Sequence, residues 1–370
     1  MSAKSIVIMA GGTGGHVFPA LALAELLREQ SYQVIWLGTR RGLEARIVPA
    51  AQFPIEWISI AGLRGKGALA LLGAPVKLAR ALAQALAVMR RHRPAVVVGL
   101  GGFVTGPGGV AAWLLRRPLL IHEQNAIAGF TNRCLARLAR SVFEAFPGSF
   151  GRGVPARVIG NPVRREFFAL ESPAERFAGR SGALRLLIVG GSQGAAKLNA
   201  VVPVAVARIA AAVPLAVRHQ AGERWVEGAR RSYAEAAVVA EVVPFIERMA
   251  EAFGWADLVI CRAGALTISE LAAVGLGAIL VPFPAAVDDH QTANARYLVQ
   301  ANAAVLIADR DLNPEALAAL LESLCARREP LLAMAQRAHT LARPHAAEEL
   351  ARACIEVAGR ALPEPVRGAA

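Results

Sequence analysis

Cysteine is scarce and scattered: Cys134, Cys261, Cys325 and Cys354 stand far apart, with no CxxC pair. That excludes a disulfide framework and a cysteine zinc site and fits a reducing compartment. Long uncharged apolar runs are missing too. The longest, residues 271–287, contains Gly275, Gly277, Pro282 and Pro284. It reads as helix end, turn and buried strand, so no transmembrane span is expected. The stretch 5–10 is too short for a secretory signal and runs into a glycine turn. A soluble or membrane-peripheral protein is the expectation. Aromatic residues are few, 6%, and are not interleaved with the N-terminal basic residues, which disfavours nucleic acid as a partner. Aspartate is absent from the first 160 residues.

That last absence belongs to a charge split. Residues 1–160 carry 19 Lys and Arg against six Glu, whereas residues 161–370 carry 22 basic and 22 acidic residues. The whole net charge of +13 therefore sits in the first half, and a polyanionic partner should meet that half. With 370 residues, 55% of them hydrophobic, the chain has material for two domains.

Short apolar strands alternate with helices, as in parallel sheets covered on both faces. Residues 5–10 read as a strand ending at Gly11-Gly12-Thr13-Gly14-Gly15-His16, with a helix over 19–30. Further strands are expected over 33–37, 96–99 and 119–122. The pattern restarts after Gly160-Asn161-Pro162-Val163-Arg164. Strand 185–189 ends at Gly190-Gly191-Ser192-Gln193-Gly194, a helix follows from about Lys197, and strands 216–220, 258–261, 278–281 and 304–307 come later. Asn313-Pro314-Glu315 is a helix start, cap then proline. The expected fold is α/β: two Rossmann-like doubly wound parallel-sheet domains in tandem, residues 1–162 and 163–342.

A glycine turn from a strand end into a helix exposes backbone N–H groups at the positive end of the helix dipole and lets a phosphate approach. Two such turns recur here, one per domain; tight strand–helix packing alone is the competing explanation. Neither is a dinucleotide fingerprint, since Val17 takes the third glycine position and Thr39-Arg40-Arg41, not an acid, end the second strand. Gly65-Lys66-Gly67 lacks Walker spacing. A third cluster, Gly99-Leu100-Gly101-Gly102-Phe103-Val104-Thr105-Gly106-Pro107, also follows a strand. His16 can move a proton or be a satisfied structural histidine. His122-Glu123-Gln124-Asn125 is a polar quartet after a buried run, by itself readable as a capped loop. Arg262-Ala263-Gly264-Ala265-Leu266-Thr267-Ile268-Ser269-Glu270 opens a helix with small residues. Glu270, one turn in, suits two ribose hydroxyls or simply balances the dipole. Asp309-Arg310-Asp311 imitates a DxD metal motif but falls between a strand end and the Asn313 cap; with no other carboxylate cluster, no metal is expected.

Residues 69–89 are apolar nearly all round, ringed by Arg64, Lys66, Lys77, Arg80, Arg90, Arg91 and Arg93, and Arg133, Arg137 and Arg140 follow helical spacing as one basic stripe. An internal helix with solvated ends or a cationic, membrane-surface patch both fit; the charge split favours the membrane.

Together these segments resemble the peptidoglycan N-acetylglucosaminyltransferases that convert lipid I to lipid II, the MurG family, over roughly residues 4–360. The specific stretches are 11–19, 99–107, 122–125, 190–195, 262–270 and Asp289-His290-Gln291-Thr292-Ala293-Asn294. The resemblance implies the GT-B fold, two lobes facing a cleft, with a last helix at about 343–361 returning to the N-terminal lobe. It implies inverting transfer of GlcNAc from UDP-GlcNAc to the C4 hydroxyl of MurNAc in undecaprenyl-diphosphate-MurNAc-pentapeptide, without metal or cofactor. The location implied is peripheral, on the cytoplasmic face of the bacterial inner membrane. The donor would lie in the C-terminal lobe. Phe245 and Ile246 would meet the uracil and Glu270 the ribose. Ser192, Ala265, Leu266 and Thr267 would meet the diphosphate, with Arg164 close by and Ile268 and Ser269 completing the helix start. Gln291 and Asn125 would read the sugar hydroxyls. Thr13, Gly14 and Gly15 would serve the reacting centre, with His16 or Glu123 as base and His16 preferred. Ala263 departs from the family's frequent Ser, and Glu144 is an acid in a stretch usually apolar or small. Two other readings compete: a UDP-GlcNAc 2-epimerase on the same architecture, and a non-catalytic nucleotide-binding module held at anionic lipid.

Overall fold

Runs such as Ile6-Val7-Ile8-Met9 cannot face water on either side, so their strands must be covered on both faces. The computed structural model describes residues 4–60, 73–191, 194–284 and 289–360. It divides into two units, Met1–Pro162 with His345–Ala370, and Val163–Pro344.

The first unit contains β1 (Ser5–Met9), α1 (Gly14–Glu29), β2 (Gln33–Gly38), α2 (Glu44–Ala50), β3 (Ile55–Trp57), α3 (Ala74–His92), β4 (Val96–Gly99), α4 (Thr105–Leu114), β5 (Leu119–Glu123), α5 (Phe130–Ala136), β6 (Ser141–Glu144) and β7 (Ala156–Val158). Its sheet order is β3-β2-β1-β4-β5-β6-β7. Every pairing among the described residues is parallel. Alternate residues of β1 feed two cores: Ile6 and Ile8 pack with α1, Val7 and Met9 with α3, α4 and α5. The core under α1 is completed from far along the chain by the C-terminal helix Ala346–Arg360, whose Leu350, Cys354 and Ala358 are fully buried. The Lys4 ammonium donates to the Ala358 carbonyl at 2.8 Å.

The second unit repeats the plan with α6 (Pro173–Ala178), β8 (Leu184–Val189), α7 (Ala196–Ile209), β9 (Leu215–Gln220), α8 (Val226–Glu235), β10 (Ala240–Val243), α9 (Met249–Trp255), β11 (Leu258–Cys261), α10 (Ala265–Val274), β12 (Ala278–Leu280), α11 (His290–Gln300), β13 (Ala304–Leu306), α12 (Pro314–Cys325) and α13 (Arg328–His339). Its sheet order is β10-β9-β8-β11-β12-β13, again parallel among the described residues. In each sheet the strand order reverses beside the first strand, between β1 and β4 and between β8 and β11. Open parallel sheets bind ligands at such switch points, beyond the carboxyl ends of the strands.

Two sequence expectations need correction. The first helix begins at Gly14, not at Pro19, which lies inside it. Proline removes one bond, to the Gly15 carbonyl, but its fixed φ suits a helix, and the glycines before it propagate the turn. The basic stripe does not form. α5 stops at Ala136 and Arg137 is its C-cap; the Arg140 N–H already bonds the Leu119 carbonyl as the chain enters β6. β3, β6, β7 and β10 were not anticipated; β3, β7 and β10 are short edge strands. Residues 69–72, Arg64, Lys66 and Ser192 lie outside the described residues.

Candidate active site

In the first unit, the turns after β1 and β4 meet because these strands are neighbours. Gly102 has φ +84°, and a Cβ there would lie 2.3 Å from the Gly11 carbonyl oxygen. Gly12 (φ +93°) passes through the left-handed region open to glycine. Behind the turn, the fully buried Glu44 accepts hydrogen bonds from Gly12 N (2.9 Å), Thr39 N (2.9 Å) and Thr39 Oγ1 (2.7 Å). Glu44 carries no local signal in the sequence, because its partners lie on other elements. Thr13 is the extended N-cap of α1, and its side chain makes no cap hydrogen bond. The N–H groups of Gly14 and Gly15 therefore head a 16-residue helix dipole.

His16, in the first turn of α1, is half-buried. Its Nδ1 lies 2.9 Å from Gln124 Oε1. Gln124 Nε2 lies 3.0 Å from His122 Nδ1, and His122 Nε2 lies 2.9 Å from the Gly160 carbonyl. His122 is fully enclosed, and desolvation lowers its pKa to about 4 despite the Gly160 bond and nearby Glu123. It is no loop residue in water, so the capped-loop reading of 122–125 is corrected: three of the four side chains are buried.

Glu123 has both oxygens engaged. Oε1 accepts from Asn125 N (3.0 Å) and Asn125 Nδ2 (3.1 Å); Oε2 accepts from Gly129 N (3.1 Å) and Asn132 Nδ2 (2.9 Å). This carboxylate shapes the loop and aims Asn125. Glu144 now has a role as well: buried at the end of β6, it accepts from Gly148 N (2.8 Å) and Phe150 N (3.4 Å), tying down the following turn.

In the second unit the turn after β8 is pinned by Gln220. Its Oε1 accepts from Gly191 N at 3.0 Å, and its Nε2 donates to the carbonyls of Gly191 (3.1 Å) and Pro244 (3.0 Å). Gly194 (φ +72°) must be glycine, since a Cβ would fall 2.5 Å from the Ala221 carbonyl oxygen. Beside it, after β11, α10 starts from the extended Gly264, which has no side chain of its own to cap the helix. Its far end is held by Arg176, which donates to the carbonyls of Val274 and Gly275.

Glu270 is buried in α10, with Arg164 Nη2 3.8 Å from its Oε1. Burial raises its pKa to about 8; Arg164 pulls it down and Glu166 pushes it up. Leu266 and Thr267 are partly exposed, whereas Ala265 is buried. Ile268 is fully buried and its N–H already bonds the Gly264 carbonyl, so it is not brought to the surface. Ser269 turns its hydroxyl onto the Ala265 carbonyl at 3.1 Å. Phe245 is exposed and Ile246 partly so, both just beyond β10. Gln291 Oε1 accepts from Ala263 N (3.2 Å) and Phe283 N (2.8 Å), which fixes its amide and turns its NH2 away from those two backbone groups. Ala263 works through its backbone, its carbonyl also accepting from Asn294 Nδ2 at 3.2 Å; a hydroxyl is not needed for that. Asp309 of the DxD look-alike accepts from Arg262 Nη1 at 2.6 Å. Arg262 also donates to the carbonyls of Val281 and Pro282, a brace absent from the sequence reading.

Two parallel sheets, each with a glycine turn and a helix start at its switch point, are the plan of the class to which the chain is matched, the enzymes of the GT-B fold. The models of the glycosyltransferase family 28 N-terminal domain and C-terminal domain match residues 6–144 and 185–350. The UDP-N-acetylglucosamine--N-acetylmuramyl-(pentapeptide) pyrophosphoryl-undecaprenol N-acetylglucosamine transferase of Marinobacter nauticus is 56% identical over 96% of this chain and 98% of its own. The crystal structure of Acinetobacter baumannii MurG superposes with a TM-score of 0.84 at 42% identity, covering 95% of this chain and 99% of that one. The UDP-GlcNAc 2-epimerase of Neisseria meningitidis matches with a TM-score of 0.67 at 11% identity over 95% of this chain and 100% of its own, a likeness of fold alone. The chain belongs to the MurG family of glycosyltransferase family 28.

Proposed function

We propose that this enzyme transfers GlcNAc from UDP-GlcNAc to the C4 hydroxyl of MurNAc in undecaprenyl-diphosphate-MurNAc-pentapeptide, making lipid II for peptidoglycan. The observation that carries this is the 56% identity to a transferase of that name across 96% of the chain. The epimerase reading rests on fold alone.

The division of labour follows from the chemistry available in each unit. The second unit binds the donor: Glu270 accepts from the ribose hydroxyls, Phe245 and Ile246 meet the uracil, Gln291 donates to a sugar hydroxyl, and Asn125 of the first unit reads another. Departing UDP gains negative charge. The N–H groups at the start of α10, the turn at Gly190–Gly194 with Ser192, and Arg164 stabilise it. Inversion requires the C4 hydroxyl to attack C1 opposite UDP and to lose its proton. His16 is the base. Glu123 is not, because its four accepted hydrogen bonds already occupy both oxygens, and those donors would have to be given up for it to take a proton. Thr13, Gly14 and Gly15 bind the acceptor diphosphate at the positive end of α1.

The substrate is lipid-linked, so the enzyme works at the cytoplasmic membrane face as a peripheral protein. Among the described residues no helix is long and apolar enough to cross a membrane. The packed helices α3, α4 and α5 expose Val76, Leu78, Trp113, Leu114 and Phe130, with Lys77, Arg80, Arg116 and Arg133 also exposed. Apolar side chains with a cationic surround suit anionic lipid.

The test is incubation with UDP-GlcNAc and a lipid I analogue. A β-1,4-linked disaccharide is expected. Its absence, or conversion of UDP-GlcNAc to the manno isomer without acceptor, sinks the assignment.

A further inference from the structure

A base must present a lone pair, and a neutral imidazole has one nitrogen that does and one that does not. The bond made by the other nitrogen decides which. Here that choice can be traced from a group with no ambiguity. The Gly160 carbonyl only accepts, so His122 Nε2, 2.9 Å away, carries a proton. Burial keeps His122 neutral at physiological pH, so its Nδ1 accepts. The group facing that Nδ1 at 3.0 Å must then be the Gln124 NH2, which also donates to the His122 carbonyl at 3.2 Å. Two acceptors on one side of the amide leave Oε1 on the other, 2.9 Å from His16 Nδ1. An oxygen there requires Nδ1–H.

We infer that Gln124 and His122 are positioning residues for the transfer: a one-way hydrogen-bond chain from the Gly160 carbonyl holds His16 in its Nδ1–H tautomer, with Nε2 as the proton acceptor. The inference rests on His16 being the base. The chain is anchored at both ends. Asn161 Nδ2 donates to the Gln124 carbonyl at 3.1 Å, beside the Gly160 anchor and just before the first unit ends at Pro162. His16 itself lies against the Gly101 turn, where a Cβ would come 2.5 Å from its Nδ1. Among the described residues, the groups placed against the imidazole, the Gly101 turn and the Gln124 amide, carry no charge. Glu123 points into Asn125, Gly129 and Asn132, and Glu44 is bound to Gly12 and Thr39. A neutral amide therefore orients His16 without setting a charge beside it. A one-way chain of this kind also reverses if His122 gains a second proton, because Nδ1–H then calls for the Gln124 oxygen.

Two measurements test this on the full-length enzyme. Long-range 1H–15N NMR of the histidine rings reads tautomers without activity: His16 should be Nδ1–H and His122 Nε2–H at neutral pH. In Gln124→Met, which keeps bulk but no hydrogen bonds, His16 should become a mixture. In kinetics, Gln124→Met should lower kcat about tenfold or more, a share of the ~10²–10⁴ typical of general-base catalysis, with the KM for UDP-GlcNAc unchanged. A His16 Nε2–H tautomer in the wild type, or a Gln124→Met variant with wild-type kcat and an unchanged His16 tautomer, overturns the inference. The acidic limb of the wild-type kcat/KM profile reports the base of the free enzyme. His16→Gln separates the two claims. Loss of the acidic limb upholds the base; if that limb persists, the base assignment itself fails and the inference falls with it.

Discussion

Glu270 is a carboxylate whose surroundings work against its charge. With its pKa near 8 against an ordinary value of 4.5, the folded chain holds a proton between those limits that the unfolded chain has released. Stability therefore falls as pH rises through that window and levels off above it. Donor binding runs the other way, since ribose hydroxyls donate best to an ionised carboxylate. The dissociation constant for UDP-GlcNAc should fall between pH 7 and pH 8.5 in calorimetric titrations, with proton release on binding. Glu270→Gln should remove that pH dependence, weaken binding by roughly tenfold, about 1.4 kcal/mol, and raise Tm at pH 8. A pH-independent affinity in the wild type would contradict this account. A residue held at a cost to stability and returned through binding is the usual pattern of a functional site.

At the scale of elements, the glycine turns carry the argument. Gly102→Ala would drive a Cβ into the Gly11 carbonyl and require a left-handed alanine, a strain of about 1–3 kcal/mol. It should abolish turnover while leaving UDP-GlcNAc affinity within about twofold, because every proposed donor-binding residue except Asn125 belongs to the other unit; equilibrium binding of the inactive variant checks this. Glu144→Ala leaves the Gly148 and Phe150 N–H groups without their acceptor. It should lower stability by about 1–3 kcal/mol in chemical denaturation. The turns themselves were legible from sequence, since glycines after apolar runs mark strand ends wherever they occur. So was the doubled α/β plan, because fully buried strands carry their own composition. What holds the turns was not legible. Glu44 reaches Gly12 across 32 positions, Gln220 reaches Gly191 across 29, and His16 meets Gln124 across 108. Such partners follow from strand order, which no local pattern encodes. Arg133, Arg137 and Arg140 show the opposite failure: a local period was present, but the helix ended before it could be used.

For the whole molecule, the basic half and the exposed apolar residues of α3, α4 and α5 belong to one unit. Sedimentation with anionic vesicles should exceed that with neutral ones and weaken from low to physiological salt, each basic side chain near the surface adding about 1 kcal/mol. Equal binding to neutral vesicles would remove the electrostatic component. The two units also differ in how they are assembled. The second is built from one continuous stretch; the first needs Ala346–Arg360 to cover the core beneath α1. Ending the chain at Pro344 should thus leave the second unit cooperative in thermal unfolding and the first molten. A ribosome delivers residues in order, and domains generally fold as they emerge. Here the segment made first must wait, its apolar face uncovered, while the entire second unit is synthesised. The domain that is born first matures last, and the competence to meet the lipid substrate is conferred by the final helix to leave the exit tunnel among those described.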